Sequence, residues 1–289
     1  MGQYSRSGYL IMYNLVVIHG DKIVGSLLNS NSLVIDLGCN QGVFSKCICK
    51  NYDCNIEGYE PGDEVCKNSL SKIESRYPKA NFIYKALSNK KEIEFHYFYD
   101  NHRKRNKDAG ISNNVFVKRL DAYSFVESKT VPTITLNEIL SKHDEVDCLK
   151  MDIEGSEIEQ LQCVDDKEIL KCNQLSIEFH YFMKEHNIKL EDIDTIINKL
   201  KKIGFNATLI TKKHPNILFT KNNIKLNKTF DLMDLSQRKF SRTNRNLGKT
   251  VITDDHKFKS DDCTHIFYNI NGTLESMLLD LAPHRLWTS

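Results

Sequence analysis

Neither sign of charge dominates this chain. Forty Lys and Arg stand against 38 Asp and Glu, a formal net charge of +2. No global field therefore selects a polyanion or a membrane surface as partner. No CxxC pair occurs, and Cys47-Ile-Cys49 lacks the two-residue gap of a metal knuckle or redox pair. The nine cysteines are an odd, scattered set, which argues against a disulfide framework and for small core residues in a reducing compartment. Long apolar runs are missing too. The longest near the start, residues 9–18, is too short to span a bilayer and is broken by Asn14. Arg6 precedes it, but His19-Gly-Asp-Lys22 offers no small-residue cleavage site. Met1-Gly2 resembles a myristoylation start with Arg6 where Ser or Thr is required. The expectation is a cytoplasmic protein without a membrane span. The triplets at Asn206, Asn227 and Asn271 then read as chance glycosylation matches in a chain rich in Asn, Lys and Ile.

What is present is an alternation of strand and helix signals from about residue 20 to 222. Leu33 to Leu37 is a continuous apolar run broken only by Asp36, as expected of a central parallel strand. Val43 to Lys50 follows as a helix, Ile56 to Glu60 as a second strand, and Asp63 to Arg76 as a helix ending before Pro78. Asn81 to Leu87 is a third strand. Ile93, Phe95, Tyr97 and Tyr99 then alternate with Glu94, His96 and Phe98, a period of two that suits a half-exposed antiparallel strand. A polar stretch from 100 to 114 reads as the loop to a return strand at Val115 to Leu120. Short helices are expected at 21–28, 137–141 and 156–162, and strands at 148–152 and 175–181. Leu190 to Ile203 carries apolar residues at helical spacing and stops at Gly204. Phe205 to Thr211 and Ile217 to Thr220 read as a closing antiparallel hairpin.

This pattern predicts an α/β fold with a mostly parallel, doubly wound sheet closed by an antiparallel C-terminal hairpin. Residues 1–222 read as one Rossmann-like domain, with 1–30 a lead-in. Residues 223–289 break the rhythm and read as a C-terminal extension.

Two stretches carry the chemistry. In Ser32 to Phe44 a buried strand ends at Asp36 and hands over to a helix through Gly38, Asn40 and Gly42. Glycines at such a turn permit a tight bend and a close ligand approach, and the spacing Gly-x-Asn-x-Gly differs from the nicotinamide fingerprint. Glu60, at the end of the second strand, is placed to accept the two hydroxyls of a ribose. Each residue also has a plainer reading. The glycines can serve a structural turn, Asn40 can tolerate a left-handed backbone, and Glu60 before Pro61 can favour a helix N-terminus. The second stretch is Val146 to Glu157, in which Lys150, Asp152, Glu154 and Glu157 crowd one strand end. Acids there are functional candidates, or helix caps in the case of Glu154 and Glu157. Glu178-Phe-His180 ends the next strand and faces the same crevice.

The runs Val34 to Phe44, Gly58-Tyr-Glu-Pro61 and Cys148 to Glu157 resemble the FkbM family of methyltransferases over about residues 30–221. The family's loop Asn stands at Asn40, its acidic-Pro pair at Glu60-Pro61, and its Lys-x-Asp-x-Glu-Gly-x-Glu run at Lys150 to Glu157. One departure is Asn137, where the family usually carries Asp after Leu136. The resemblance implies a Rossmann-like fold, S-adenosyl-L-methionine as methyl donor, and O-methylation of a hydroxyl on a sugar, glycan or small metabolite. Cofactor binding is expected from Asp36, Gly38, Asn40, Gly42, Glu60 and Asp152. Catalysis is expected from Asp152, His180 and Lys150, with Asp152 or His180 as general base. Alternatively Asp152, Glu178 and His180 hold a divalent cation. Two other readings stand beside this one. Arg103-Lys-Arg105, Lys118-Arg119 and the basic run from Arg238 to Arg245 suit an RNA cap or ribose 2'-O methyltransferase. A catalytically inactive scaffold is the third, against which the intact site residues argue.

Overall fold

A computed structural model describes residues 12–100, 123–181, 187–209, 216–235, 245–253 and 265–270. In chain order the elements are β1 (Met12–Tyr13), β2 (Val16–Ile18), β3 (Asp21–Ile23), β4 (Leu33–Leu37), α1 (Val43–Tyr52), β5 (Asn55–Tyr59), α2 (Glu64–Arg76), β6 (Ala80–Ile83), β7 (Ala86–Leu87), β8 (Glu92–Asp100), β9 (Tyr123–Ile134), α3 (Leu136–Leu140), β10 (Cys148–Met151), α4 (Glu157–Cys163), α5 (Asp166–Ile169), β11 (Gln174–Glu178), α6 (Leu190–Ile203), β12 (Phe205–Leu209), β13 (Asn216–Lys221), β14 (Lys225–Leu226), β15 (Thr229–Asp234), β16 (Arg245–Thr253) and β17 (His265–Asn269).

The apolar runs at β4, β10 and β11 are buried on both faces, and β4 and β10 alternate between two cores. Ile35, Leu37, Leu149, Met151, Leu175 and Ile177 face the core formed with α3, α4 and α6. Val34, Ile56 and Cys148 face the core formed with α1 and α2. Burial on both faces is what a mostly parallel centre requires. The central order is β6-β5-β4-β10-β11-β13-β12. Strands β6 through β11 are parallel, and β13 is antiparallel to both β11 and β12. Chain order reverses between β4 and β10, the switch point where the strand ends splay and a crevice opens. The helices end as their sequences dictate. Asp63 caps α2 by accepting from the Cys66 N–H at 2.9 Å, and Gly204 closes α6 with φ +115°.

Three expectations differ from the structure. Residues 21–28 form β3 and a 3₁₀ turn at Gly25–Leu27 rather than a helix. His19 (φ 51°) and Gly20 (φ 94°) both take left-handed backbone between β2 and β3, the two-residue turn that makes a hairpin. The third strand, expected over 81–87, splits. β6 stays in the central sheet, while β7 joins β9 and β8 in a separate three-stranded sheet. His96 is buried, its Nδ1 2.7 Å from Ser128 Oγ, although the period-two pattern places it outward. Of the loop expected over 100–114, Asp100 ends β8, while the remainder and the return strand expected at 115–120 lie outside the described residues; β9 is the strand that pairs with β8.

The lead-in and the segment after 222 meet. β2 runs parallel to β15 and β1 parallel to β14. The central sheet continues through β12, β17, β16, β15, β2 and β3. Leu15, Val17, Val24, Leu218 and Ile252 share one small core. Six of the eight cysteines of the described residues are buried, as core residues should be. No helix among the described residues is long and apolar enough to cross a membrane.

Candidate active site

Strands β4, β5 and β10 end side by side, so the residues that follow them share one rim. In register, Asp36 lies opposite Lys150 on one side and Gly58 on the other. Beyond the rim is an open cleft lined by Gly38, Asn40, Glu60, Asp152 and Glu154, with Phe95 from β8 as a wall.

The turn after β4 is held from two sides. Gly38 and Cys39 donate their N–H groups to the Tyr59 carbonyl at 2.9 and 3.2 Å. Gly38 has φ +74°, and a Cβ on it would lie 1.8 Å from the Asp152 carbonyl oxygen. The glycine is thus required by the close approach of two loops of the protein. Gly42, with φ +73°, likewise packs against Ile73 and Leu70. Asn40 adopts φ 47° and donates its N–H to Glu60 Oε2 at 2.9 Å.

Glu60 is 7% exposed. Burial pushes its carboxyl up to about 7, against the opposing pull of the Asn40 and Gly62 N–H groups and the Lys150 charge. A desolvated acid facing a cleft is matched to a ligand that brings its own hydroxyl donors.

Asp36 does not line the cleft. It is fully buried beneath the turn, where Oδ2 accepts from Ser45 Oγ at 2.6 Å. Its Oδ1 makes no hydrogen bond but lies 3.2 Å from the Lys150 ammonium. Lys150 donates to the Gly38 carbonyl at 2.9 Å and sits 3.6 Å from Asp152 Oδ2. Burial alone would discharge this amine. Asp36, Asp152 and Asp21 outweigh that and hold it well above its ordinary value. Lys150 is therefore a fixed cation that ties the turn after β4 to the loop after β10. Asp21 reaches the same buried layer from β3, accepting from Asn216 Nδ2 at 3.1 Å. Burial raises its carboxyl to about 6. Neither Asp21 nor Asn216 was expected from sequence, because a lone Asp in a lead-in carries no motif.

At the opposite wall, Asp152, Glu154 and His180 converge. His180 Nε2 lies 3.5 Å from Asp152 Oδ1 and 3.7 Å from Glu154 Oε2. Its Nδ1 is 2.8 Å from Glu157 Oε1. Glu157 is fully buried and also accepts from the Ile153 N–H at 3.1 Å and from the Gly155 N–H. Burial would lower the imidazole, but the charge and hydrogen bond of Glu157, with Glu154 and Asp152, push it up to about 10. Glu178 is raised by burial and then by the charge of Asp152. The sequence expectation grouped Glu178 with Asp152 and His180 as ligands; the group whose ligand atoms lie within 4.8 Å of one another is Asp152, Glu154 and His180. Asn137, the departure from the family pattern, accepts from the Asp165 N–H at 3.0 Å and is not among the cleft residues.

The methyltransferase FkbM domain model matches residues 34–207. The chain belongs to this family. The match covers β4 through β12, and hence every rim residue named above. No curated protein matches the sequence. Among solved structures, the family member is similar to a precorrin-6y C5,15-methyltransferase from Geobacter metallireducens (8% identity, 68% of this chain and 85% of that one, TM-score 0.36). An rRNA methylase from Streptococcus thermophilus gives 9% identity, 70% and 92% coverage and a TM-score of 0.36. The enzyme TrmK of M. capricolum, in complex with S-adenosyl-homocysteine, gives 12% identity, 70% and 67% coverage and a TM-score of 0.34. Similarities this distant carry no argument about the acceptor.

Proposed function

We propose that this FkbM-family protein transfers a methyl group from S-adenosylmethionine to a hydroxyl oxygen on a sugar, glycan or small metabolite. The observation that supports this most is the single cleft. Glu60 stands on one wall, Asp152 and Glu154 on the other, and the two loops are locked by Gly38 and Lys150. Residues at the cleft fit the donor. Glu60 suits the ribose hydroxyls, and the Gly38–Gly42 turn presents Asn40 beside it. Bound there, S-adenosylmethionine supplies an electrophilic methyl group on a sulfonium.

The chain's own residues do the rest. Lys150 holds the Gly38 carbonyl and Asp152 in fixed relation, so donor and acceptor walls keep their spacing, the main source of acceleration in such a transfer. The acceptor oxygen loses its proton as it gains the methyl group. Asp152, a third exposed at its side chain, is the acceptor of that proton. His180 and Lys150 are positioning residues, since both carry a proton held by surrounding carboxylates. Phe95, packed edge-on against Tyr97 with ring centroids 5.4 Å apart, walls the cleft from water. The basic runs at 103–105 and 118–119, and that at 238–245 apart from Arg245 at the start of β16, lie outside the described residues.

The test uses the full chain. Calorimetry should show S-adenosylhomocysteine binding, and labelled donor should deliver methyl groups to a member of a hydroxylated acceptor panel. Asp152→Asn should keep S-adenosylhomocysteine affinity and lose turnover by about 100-fold or more. Unchanged turnover would remove Asp152 from the mechanism, and absence of S-adenosylhomocysteine binding would remove the reading.

A further inference from the structure

We infer that Asp21, from the hairpin ahead of the family domain, is a positioning residue for the donor site: with Ser176 and Asn216 it closes a buried polar row that fixes Lys150 and, through Lys150, the turn at Gly38. The inference rests on the methyltransferase reading for what that turn binds, while the row stands on its own geometry.

The row crosses one face of the sheet. Asp36 of β4 lies opposite Lys150 of β10, and Lys150 lies opposite Ser176 of β11. Asn216, the first residue of β13, lies opposite Glu178 at the end of β11. Asp21 bridges the two strands, its Oδ1 accepting from Asn216 Nδ2 at 3.1 Å and from Ser176 Oγ at 3.4 Å. Two residues earlier on β11, Gln174 accepts from the Val24 N–H at 2.7 Å and donates to the Val24 carbonyl at 3.2 Å. These four bonds seat β3 across β11 with Asp21 at the end nearer the rim. All of the side chains in the row are buried. Asp21 and Asn216 both lie outside residues 34–207, which the family domain matches.

A carboxylate is an expensive group for this seat. An apolar residue at position 21 would pack against β11 without the desolvation of a charge. What only a carboxylate adds is a counter-charge, and the cation of the row is Lys150. Each group acts on the other. Burial raises the Asp21 carboxyl to about 6, and Lys150 is the strongest influence in the opposite direction. Burial would discharge Lys150, and Asp21 stands with Asp36 and Asp152 among the charges that keep its proton in place.

The other two carboxylates have further partners. Asp36 is engaged by Ser45 Oγ at 2.6 Å. Asp152 borders the cleft with its side chain 34% exposed, so water screens its charge. Asp21 is dry and held by two donors, and its hold on the ammonium does not depend on what occupies the cleft. Lys150 then keeps its donation to the Gly38 carbonyl at 2.9 Å, and the turn keeps Asn40 against Glu60.

The experiment compares full-length variants at about pH 8, where Asp21 and Glu60, raised to about 6 and about 7, are both ionised. Asp21→Asn keeps the shape of the side chain and an acceptor for Ser176 and Asn216, and removes the charge. By calorimetry it should weaken S-adenosylhomocysteine binding about five- to tenfold. By NMR of lysine-labelled protein, the Lys150 ammonium protons should exchange with water about tenfold faster. Asn216→Ala keeps the charge but frees it on one side, and should move both readouts the same way by about threefold. Ile252→Ala loosens the core beside the hairpin without touching the row. It should lower the melting temperature and leave both readouts as in wild type. If Asp21→Asn does not fold, Asn216→Ala decides by the same two readouts. Wild-type affinity and exchange in these variants overturn the inference. So does an equal loss in Ile252→Ala, which traces the effect to stability alone. Faster Lys150 exchange in Asp21→Asn, from a wild type that binds no S-adenosylhomocysteine, keeps Asp21 as the partner of Lys150 and strikes the donor reading.

Discussion

Glu60 owes its chemistry to where its backbone ends. It is the first residue after β5, its own N–H donates to the Ile83 carbonyl of β6 at 3.1 Å, and its side chain turns into the cleft with a carboxyl raised from 4.5 to about 7 by burial. Folding therefore favours the protonated form. The stabilising contribution of that form to the free protein is complete below about 4.5 and is lost as pH rises through about 7. Diol binding runs the other way, because only the carboxylate accepts from both hydroxyls. S-adenosylhomocysteine affinity should rise about tenfold between pH 6 and pH 8. In Glu60→Gln the affinity should be roughly 10- to 100-fold weaker at pH 8, and the pH slope should vanish. Calorimetry across that range checks both. At this scale the sequence was informative wherever a carboxylate ends an apolar run, as at Asp36, Glu60 and Asp152. It was silent on which of them lines the cleft. Asp36 and Glu60 look alike in sequence, yet one is neutralised by Lys150 and Ser45 under the turn while the other borders open space.

Elements join through the turn between β4 and α1. Its conformation is dictated less by a ligand than by the loop after β10, since the missing Cβ of Gly38 makes room for the Asp152 carbonyl. Gly38→Ala must push these loops apart and hold a left-handed alanine. It should destabilise the protein by about 2–4 kcal/mol and lower S-adenosylhomocysteine affinity. Gly42→Ala meets the ends of two flexible side chains, Ile73 and Leu70, and should cost less. Urea denaturation of the pair gives the comparison. Periodicity exposed most of these elements. Leu190 to Ile203 is a helix over the predicted residues because its stripe of Ile193, Ile196, Ile197 and Leu200 is buried. Where periodicity failed, a tertiary partner decided. β3 is a strand because the turn at His19-Gly20 pairs it with β2, and β7 leaves the third strand because β9 offers it an edge.

On the scale of the whole molecule, the central order β6-β5-β4-β10-β11-β13-β12 follows from the alternating βα pattern. The partnership of the first described segment with the strands after residue 222 does not. Val17 lies in the same core as Ile252, more than two hundred residues apart, and no local pattern encodes such a contact. Ile252, 4% exposed among Leu15, Val17, Val24 and Leu218, tests how much this joint contributes. Ile252→Ala should cost about 2–4 kcal/mol, seen as a melting temperature lower by roughly 5–10 °C. Per folded molecule, S-adenosylhomocysteine binding should be unchanged, because the mutated core adjoins none of the cleft residues.

The pairing of β2 with β15 also sets an order of events during synthesis. Val16 leaves the ribosome early, whereas its partner Met233 emerges on the order of ten to forty seconds later at ordinary elongation rates. Through that interval the edge of β2 that β15 takes stays open. Completion of this fold therefore waits for the strands that follow residue 222.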